Sequence, residues 1–189
     1  MGRLARLAST NEGKLRELRH ALPGWQVEPL GDVDYPPEVG DTYYENARAK
    51  AVHGHGLAPD AWVLGEDSGV ELEALGGEPG VTSSRWAAGR EAERAIEALA
   101  GVEGEARGAR YVSELVAISP TGEEFRGTGI LEGRIAEEPR GNEGFGFDPV
   151  FVPEGEERSV AELGNQWKRE NSHRARAARA LLAALTSET

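Results

Sequence analysis

The sequence predicts an α/β or α+β fold built on a mixed sheet. Three observations carry this. The chain opens on a short apolar run, a polar glycine-containing loop and leucines at helical spacing, which is a strand–loop–helix unit. Its middle, from Arg110 to Ile135, reads as paired strands about a Pro120-Thr121-Gly122 turn. Its end carries apolar residues at helical period, so strands and helices are interspersed along one chain.

Each element follows from a local pattern. Leu4 to Ala8 is a short strand, and Ser9-Thr10-Asn11-Glu12-Gly13 is a turn and helix start. Leu15, Leu18 and Leu22 recur at helical spacing. Trp25 to Leu30 is a second strand, Pro36-Pro37 marks a loop, and Thr42 to His53 is a helix with Tyr43, Ala47 and Ala51 along one side. Ala61 to Leu64 is an apolar strand that runs into Gly65-Glu66-Asp67-Ser68-Gly69, which puts this polar motif at a strand end. Val70 to Leu75 resumes with partial alternation, and Gly76 to Gly80 is a dense turn. Glu91 to Leu99 is a helix with Ala92, Ala95, Ile96 and Leu99 on one stripe. Arg110 to Ile118 and Glu124 to Ile135 make a hairpin, followed by a glycine-rich aromatic segment from Gly141 to Asp148 and a short strand from Val150 to Val152. Ala175, Ala178, Leu181, Leu182 and Leu185 define a C-terminal amphipathic helix, with Ser172 as its candidate cap.

Composition bounds the function. The 189 residues suit one domain, 1–189, or two closely packed lobes within it, and 39% hydrophobic content suffices for a core. The formal net charge of −12 argues against a general binder of nucleic acid or anionic membrane. A polyanionic ligand would need local cations or a divalent metal. There is no cysteine, so thiolate chemistry and disulfides are excluded. No apolar run approaches the ~20 residues of a membrane helix, and Met1 to Ala5 lacks a signal-peptide core. The expected location is the cytoplasm. Arginine dominates the basic residues, and only Lys14, Lys50 and Lys168 are lysines. A compact ammonium acts differently from a guanidinium fork beside phosphate.

Five segments could carry chemistry. Ser9, Thr10, Asn11, Glu12, Gly13 and Lys14 offer hydroxyls, an amide, backbone N–H groups and one ammonium at a helix start, an anion cradle without Walker A spacing. The same residues also fit a capped helix with a surface lysine. Glu66-Asp67-Ser68-Gly69 sits where ligands collect in α/β sheets, and a carboxylate there can bind Mg²⁺ or activate water. It also fits a turn bonded to its own backbone. Adjacent strand residues face opposite ways, so one of Glu66 and Asp67 can face a ligand and the other a structural partner. Glu38 could add a second carboxylate, or belong to an exposed acidic loop. Phe145 and Phe147, with Gly144 and Gly146 beside them, could stack a base and Asp148 could accept hydrogen bonds from it, or both rings could be core. Lys168 to Arg179 forms a positive run where phosphates could dock, or a solvated helix face. Together the five favour a triphosphate site.

These residues resemble a known family, the inosine triphosphate pyrophosphatases that remove deaminated purine nucleotides. The marks are Leu7 to Lys14, Glu45-Asn46-Ala47, Glu66 to Gly69, Ala74 to Val81, Gly144 to Pro149, Ala161-Glu162-Leu163, Lys168 and Ser172-His173-Arg174, in an order and spacing that run from about residue 4 to 185. The resemblance implies an elongated α/β fold with a central twisted mixed sheet flanked by helices, two lobes and a cleft between them. It implies a homodimer and a Mg²⁺-dependent hydrolysis of ITP, dITP or XTP to the monophosphate and pyrophosphate. Under it, Ser9 to Lys14 hold the triphosphate, Asp67 is metal ligand and general base, Ser68 contacts substrate, and Glu38 is a second metal ligand. Phe145, Gly146, Phe147 and Asp148 line the nucleoside pocket, with Phe147 stacking on the base, and Lys168 contacts phosphate or base. His173 and Arg174 read the base edge. Hypoxanthine and xanthine carry an oxygen at C6 where adenine carries an amino group, and a site built on such hydrogen bonds discriminates by up to ~10⁴. Two departures stand out: Glu66 occupies a place where many relatives have Asp, and Thr82 to Arg85 replaces a stretch that usually begins with an aromatic residue. The rival readings are a Maf-type pyrophosphatase for pyrimidine or modified nucleotides and a nucleotide-binding protein without catalysis.

Overall fold

The computed structural model describes residues 2–187. In chain order the elements are β1 (Arg3–Leu7), α1 (Glu12–Ala21), β2 (Trp25–Pro29), α2 (Tyr43–Leu57), β3 (Trp62–Leu72), α3 (Ser83–Ala87), α4 (Glu91–Ala98), β4 (Gly108–Ile118), β5 (Glu124–Ile135), β6 (Phe151–Pro153), α5 (Val160–Asn171) and α6 (His173–Ser187). The strands form a six-stranded sheet in the order β2-β1-β3-β4-β5-β6. It is mixed: β1 runs parallel to both β2 and β3, whereas β5 and β6 are antiparallel.

The chain divides into two compact units, each assembled from separate segments. One takes the chain up to Asp67, then Ser113–Gly129 and the chain from His173 onward; the other takes Ser68–Val112 and Ile130–Ser172. The first unit packs Leu7, Leu18, Leu22, Leu64, Leu115 and Leu181 around one core. The second packs Val70, Leu72, Leu99, Ile135, Phe147 and Phe151 around another, where the rings of Tyr111 and Phe151 stack at 4.1 Å. Each fully buried side chain of this size contributes roughly 2 kcal/mol of transfer free energy.

Two helices of the first unit are seated by glycines. A Cβ on Gly65 of β3 would collide with the backbone of Ala47 and Ala51 in α2. One on Gly127 or Gly129 of β5 would collide with the backbone of α6, at Ala177 and Leu181 or at His173 and Ala177. Helix and strand backbones therefore touch directly, which fixes α2 behind β3 and the first turn of α6 against β5.

The structure changes three local expectations. The Glu66 to Gly69 motif is not at a strand end: β3 continues without a break to Leu72. An Asp-Ser-Gly turn needs the carboxylate for its own backbone, and here Asp67 is bonded to other elements instead. The helix begun at Thr42 runs four residues further, to Leu57, with a full capping box between Thr42 and Glu45. The segment around Ala161 is a helix in its own right, α5, started by a second capping box between Ser159 and Glu162 and kinked at Gly164, where φ is 83°.

Candidate active site

The predicted site residues fall into a larger group in the first unit and a smaller one in the second. In the first, the cradle loop lies between β1 and α1. Asn11 is the N-cap of α1: its side chain accepts from Lys14 N at 3.0 Å, and Asn11 N donates to Ser9 Oγ at 3.1 Å. The segment expected as a capped helix or an anion cradle is a helix cap, with Thr10, Asn11 and Glu12 exposed. Lys14 turns inward, and its ammonium stands 2.7 Å from Glu66 Oε2.

Glu66 and Asp67 are adjacent on β3 and both buried, but they serve different neighbourhoods, as strand alternation dictates. Glu66 meets Lys14, accepts from Arg174 Nε at 3.0 Å and from the Ser113 hydroxyl at 2.9 Å. Burial by itself would raise its pKa, but Lys14 and Arg174 overcome that and hold it well below the usual carboxylate range. Asp67 accepts from Lys50 Nζ at 3.2 Å and Asn46 Nδ2 at 3.1 Å. Here burial wins: Lys50 and Lys14 oppose it, Glu38 and Glu66 reinforce it, and the Asp67 pKa is raised.

Lys50 was not assigned a role by sequence, although it is one of only three lysines. Its side chain is 8% exposed, and its ammonium bridges Asp67 and Glu38, the latter at 2.6 Å. Burial lowers its pKa, and the two carboxylates more than reverse this, so it stays charged. The Glu38 loop is tied down a second time, because Asn46 Oδ1 accepts from Gly40 N at 2.8 Å. A side chain at Gly40 would collide with Glu45 and Asn46. Asn46 therefore joins the loop to Asp67 with one amide. The Glu45-Asn46-Ala47 run signalled this residue, but not what it touches.

The Lys168 to Arg179 run is not an exposed positive patch. Lys168, His173 and Arg174 are each 5% exposed or less, while Arg169, Arg176 and Arg179 face solvent. Arg174 donates to Glu66 and, through Nη1, to Glu17 Oε2 at 3.0 Å. Buried cations need such partners, so the charges that matter are spent on internal carboxylates rather than displayed.

In the second unit, Asp148 is the organising group. Its Oδ2 accepts from Lys168 Nζ at 2.6 Å and Phe145 N at 2.7 Å, and its Oδ1 from Tyr111 Oη at 3.3 Å. Gly144, at φ 81°, has no room for a Cβ because Asp148 lies against it. Phe147, expected to stack on a base, is a core residue, 7% exposed and packed with Trp86 and Tyr111. Phe145 and Gly146 are half-buried, and the Lys168 ammonium lies 4.5 Å from the centre of the Phe145 ring. Ser68, half-buried, is the first residue of this unit.

Set against known proteins, residues 5–184 match the model of the Ham1 family. The chain belongs to the Ham1 family. The dITP/XTP pyrophosphatase of Symbiobacterium thermophilum is 47% identical over 177 residues, covering 90% of this chain and 89% of that protein. The dITP/XTP pyrophosphatase of Deinococcus deserti is 44% identical over 97% of this chain and 89% of its own length. Among solved structures, the Ham1 protein of Staphylococcus aureus superposes with a TM-score of 0.82 at 32% identity, covering 99% of this chain and all of that one. The HAM1 protein of Coxiella burnetii gives 0.82 at 35% identity, with 98% and 99% covered. Ham1 membership bears out the resemblance to the inosine triphosphate pyrophosphatases. Among the described residues no helix is long and apolar enough to cross a membrane.

Proposed function

We propose that this Ham1 protein hydrolyses deaminated purine nucleoside triphosphates, dITP, ITP and XTP, to the monophosphate and pyrophosphate, and so clears them from the nucleotide pool. The observation that carries the reading is the bridge from Asp67 of β3 through Lys50 of α2 to Glu38, with the Lys14–Glu66 pair at the neighbouring strand position. It supplies a carboxylate of raised pKa and charged ammonium groups together, which is what proton removal from water beside a polyphosphate requires. The names of the similar proteins, dITP/XTP pyrophosphatases, support the substrate class.

A magnesium ion suits the donor set. Mg²⁺ takes one or two carboxylates and keeps waters and phosphate oxygens as its other ligands. Asp67 and Glu38, joined through Lys50, offer two carboxylates. Bound there, the ion would offset phosphate charge and fix the polyphosphate. Lys50, which now bridges the two carboxylates, would turn to the phosphates.

The residues divide the work. Ser9 to Lys14 cradle the phosphates through backbone N–H groups, hydroxyls and the Lys14 ammonium. Asp67 accepts the proton of the attacking water. The water oxygen bonds the α-phosphorus as the bond from that phosphorus to the oxygen bridging the β-phosphate breaks, giving the monophosphate, and the pyrophosphate leaves with its charge offset by Lys14 and Lys50. Arg174, oriented by Glu66 and Glu17, donates to the C6 oxygen of the base, with His173 beside it in sequence. The family resemblance assigns Phe145 to Asp148 and Lys168 to the nucleoside, and within the second unit Phe145, not the buried Phe147, is the ring with an accessible face. A substrate drawn from the nucleotide pool is consistent with a cytoplasmic protein, and the family resemblance implies a homodimer, which sedimentation would test.

Product analysis tests the reading. Purified protein with MgCl₂ should convert dITP to dIMP and pyrophosphate and leave dATP nearly untouched. Release of free phosphate and a diphosphate would place the cut at the wrong bond and sink it.

A further inference from the structure

Glu66 is fully buried and touches no reacting atom in the chemistry proposed above. A buried ion pair needs one partner of each sign, yet this carboxylate serves two cations from distant parts of the chain. Oε2 faces Lys14, in the first turn of α1 behind the phosphate cradle. Oε1 accepts from Arg174, in the first turn of α6, and from Ser113. Each cation has its own assignment, one to the phosphates and one to the base, and Glu66 is the atom group they share.

We propose that Glu66 is a positioning residue that couples recognition of the phosphates to recognition of the base, because Lys14 and Arg174 divide one carboxylate between them. This rests on reading Lys14 as a phosphate contact and Arg174 as a base contact. When a triphosphate draws the Lys14 ammonium towards itself, Glu66 is left to Arg174 and holds the guanidinium more firmly in the orientation that meets a C6 oxygen. When Arg174 is removed, Glu66 has Lys14 alone and keeps it from the phosphates. Groups in one ion-pair network are expected to be non-additive in this way, and the linkage is reciprocal for binding. The glycine contacts that fix α6 against β5 keep Arg174 from simply following its partner.

Inorganic tripolyphosphate separates the two ends, because it has phosphates and no base. Its dissociation constant, measured by calorimetry at fixed MgCl₂, is compared for the parent, Arg174→Ala, Glu66→Gln and the double variant. Arg174→Ala should weaken tripolyphosphate about 5-fold, and in the Glu66→Gln background the same change should move it by less than about 2-fold. An unchanged constant in Arg174→Ala overturns the proposal. So does an equal change in both backgrounds, which would be a general loss of positive charge rather than coupling through Glu66. Should Glu66→Gln not fold, Lys14→Met with Glu66 intact decides: Glu66 is then left to Arg174 from the start, so the dITP to dATP ratio of kcat/KM should rise about 5-fold, and a fixed or lowered ratio overturns the coupling. If the parent does not bind tripolyphosphate, or Arg174→Ala leaves the dITP to dATP ratio as it was, the underlying reading of the site fails and the proposal with it. Tripolyphosphate bound by the parent and base preference lost in Arg174→Ala, with no change in the tripolyphosphate constant, defeats the coupling alone.

Discussion

Glu66 and Asp67 share a strand, a peptide bond and near-complete burial, yet their surroundings are opposites. At Glu66 one carboxylate serves two cations, Lys14 and Arg174. At Asp67 two carboxylates, its own and that of Glu38, share one cation, Lys50. Burial pushes both acids towards the neutral form. The surplus of positive charge reverses it at Glu66, and the deficit leaves it standing at Asp67. Local charge ratio, rather than depth, decides which acid is fixed as an anion and which can exchange a proton. The strand's two-residue period makes the division possible, since it sends neighbours into different charge environments.

The sharpest way to break this comparison is Asp67→Asn. Turnover of dITP should fall by about three orders of magnitude, as expected when a general base is removed, while the fold stays. The sign follows from the raised pKa: a carboxyl whose folded value lies above its unfolded value loses stability as pH rises through the folded value, so the neutral amide forfeits none at neutral pH. Urea denaturation of metal-free protein should place the variant within about 1 kcal/mol of the parent. A folded variant with near-normal turnover would remove Asp67 from the chemistry.

Glu66→Gln should behave the other way, costing stability first. It leaves Lys14 and Arg174 buried beside a neutral amide, a loss of about 3 kcal/mol. A carboxylate with a depressed folded pKa contributes stability that is present above the unfolded value and lost as pH falls towards the folded one. The gap between parent and variant should therefore be full above about pH 5 and narrow below about pH 4, near the ordinary glutamate pKa. A gap that does not vary with pH would mean that shape, not charge, holds Glu66 in place.

Much of this was legible in the chain. The order of the strands and of the helices other than α3 and α5, the capped start of α1 and the division of Glu66 from Asp67 all follow from periodicity and local chemistry, and the structure has them. The scarcity of lysine singled out three positions, but not their burial. Lys14, Lys50 and Lys168 each end on a buried or half-buried carboxylate, namely Glu66, Asp67 with Glu38, and Asp148. What sequence could not give was which groups meet. The role of Lys50 depends on α2 lying behind β3, a contact that Gly65 permits and that no motif encodes. Phe145 and Phe147 look equivalent two residues apart, and only the core of the second unit separates the buried ring from the half-buried one. The basic run near α6 looked like surface because its acidic partners, Glu17, Glu66 and Asp148, are remote in sequence.

The mildest test sharpens the account of Glu66. Ser113, fully buried on β4, donates its hydroxyl to Glu66 Oε1, the oxygen that also receives Arg174. Ser113→Ala removes a hydrogen bond to a charged group and leaves both cations in place. If the surplus of positive charge is what fixes Glu66, the loss should be about 1.5 kcal/mol, the low end for such bonds, because Oε1 keeps its stronger donor. Turnover and the dITP to dATP preference should stay within about 2-fold of the parent, since neither Lys14 nor Arg174 has lost its partner. Denaturation and steady-state kinetics on the one variant give both numbers. A loss as large as that of Glu66→Gln would make the neutral hydroxyl equal to the two cations, and the charge-ratio explanation of β3 would then have to give way to one based on packing.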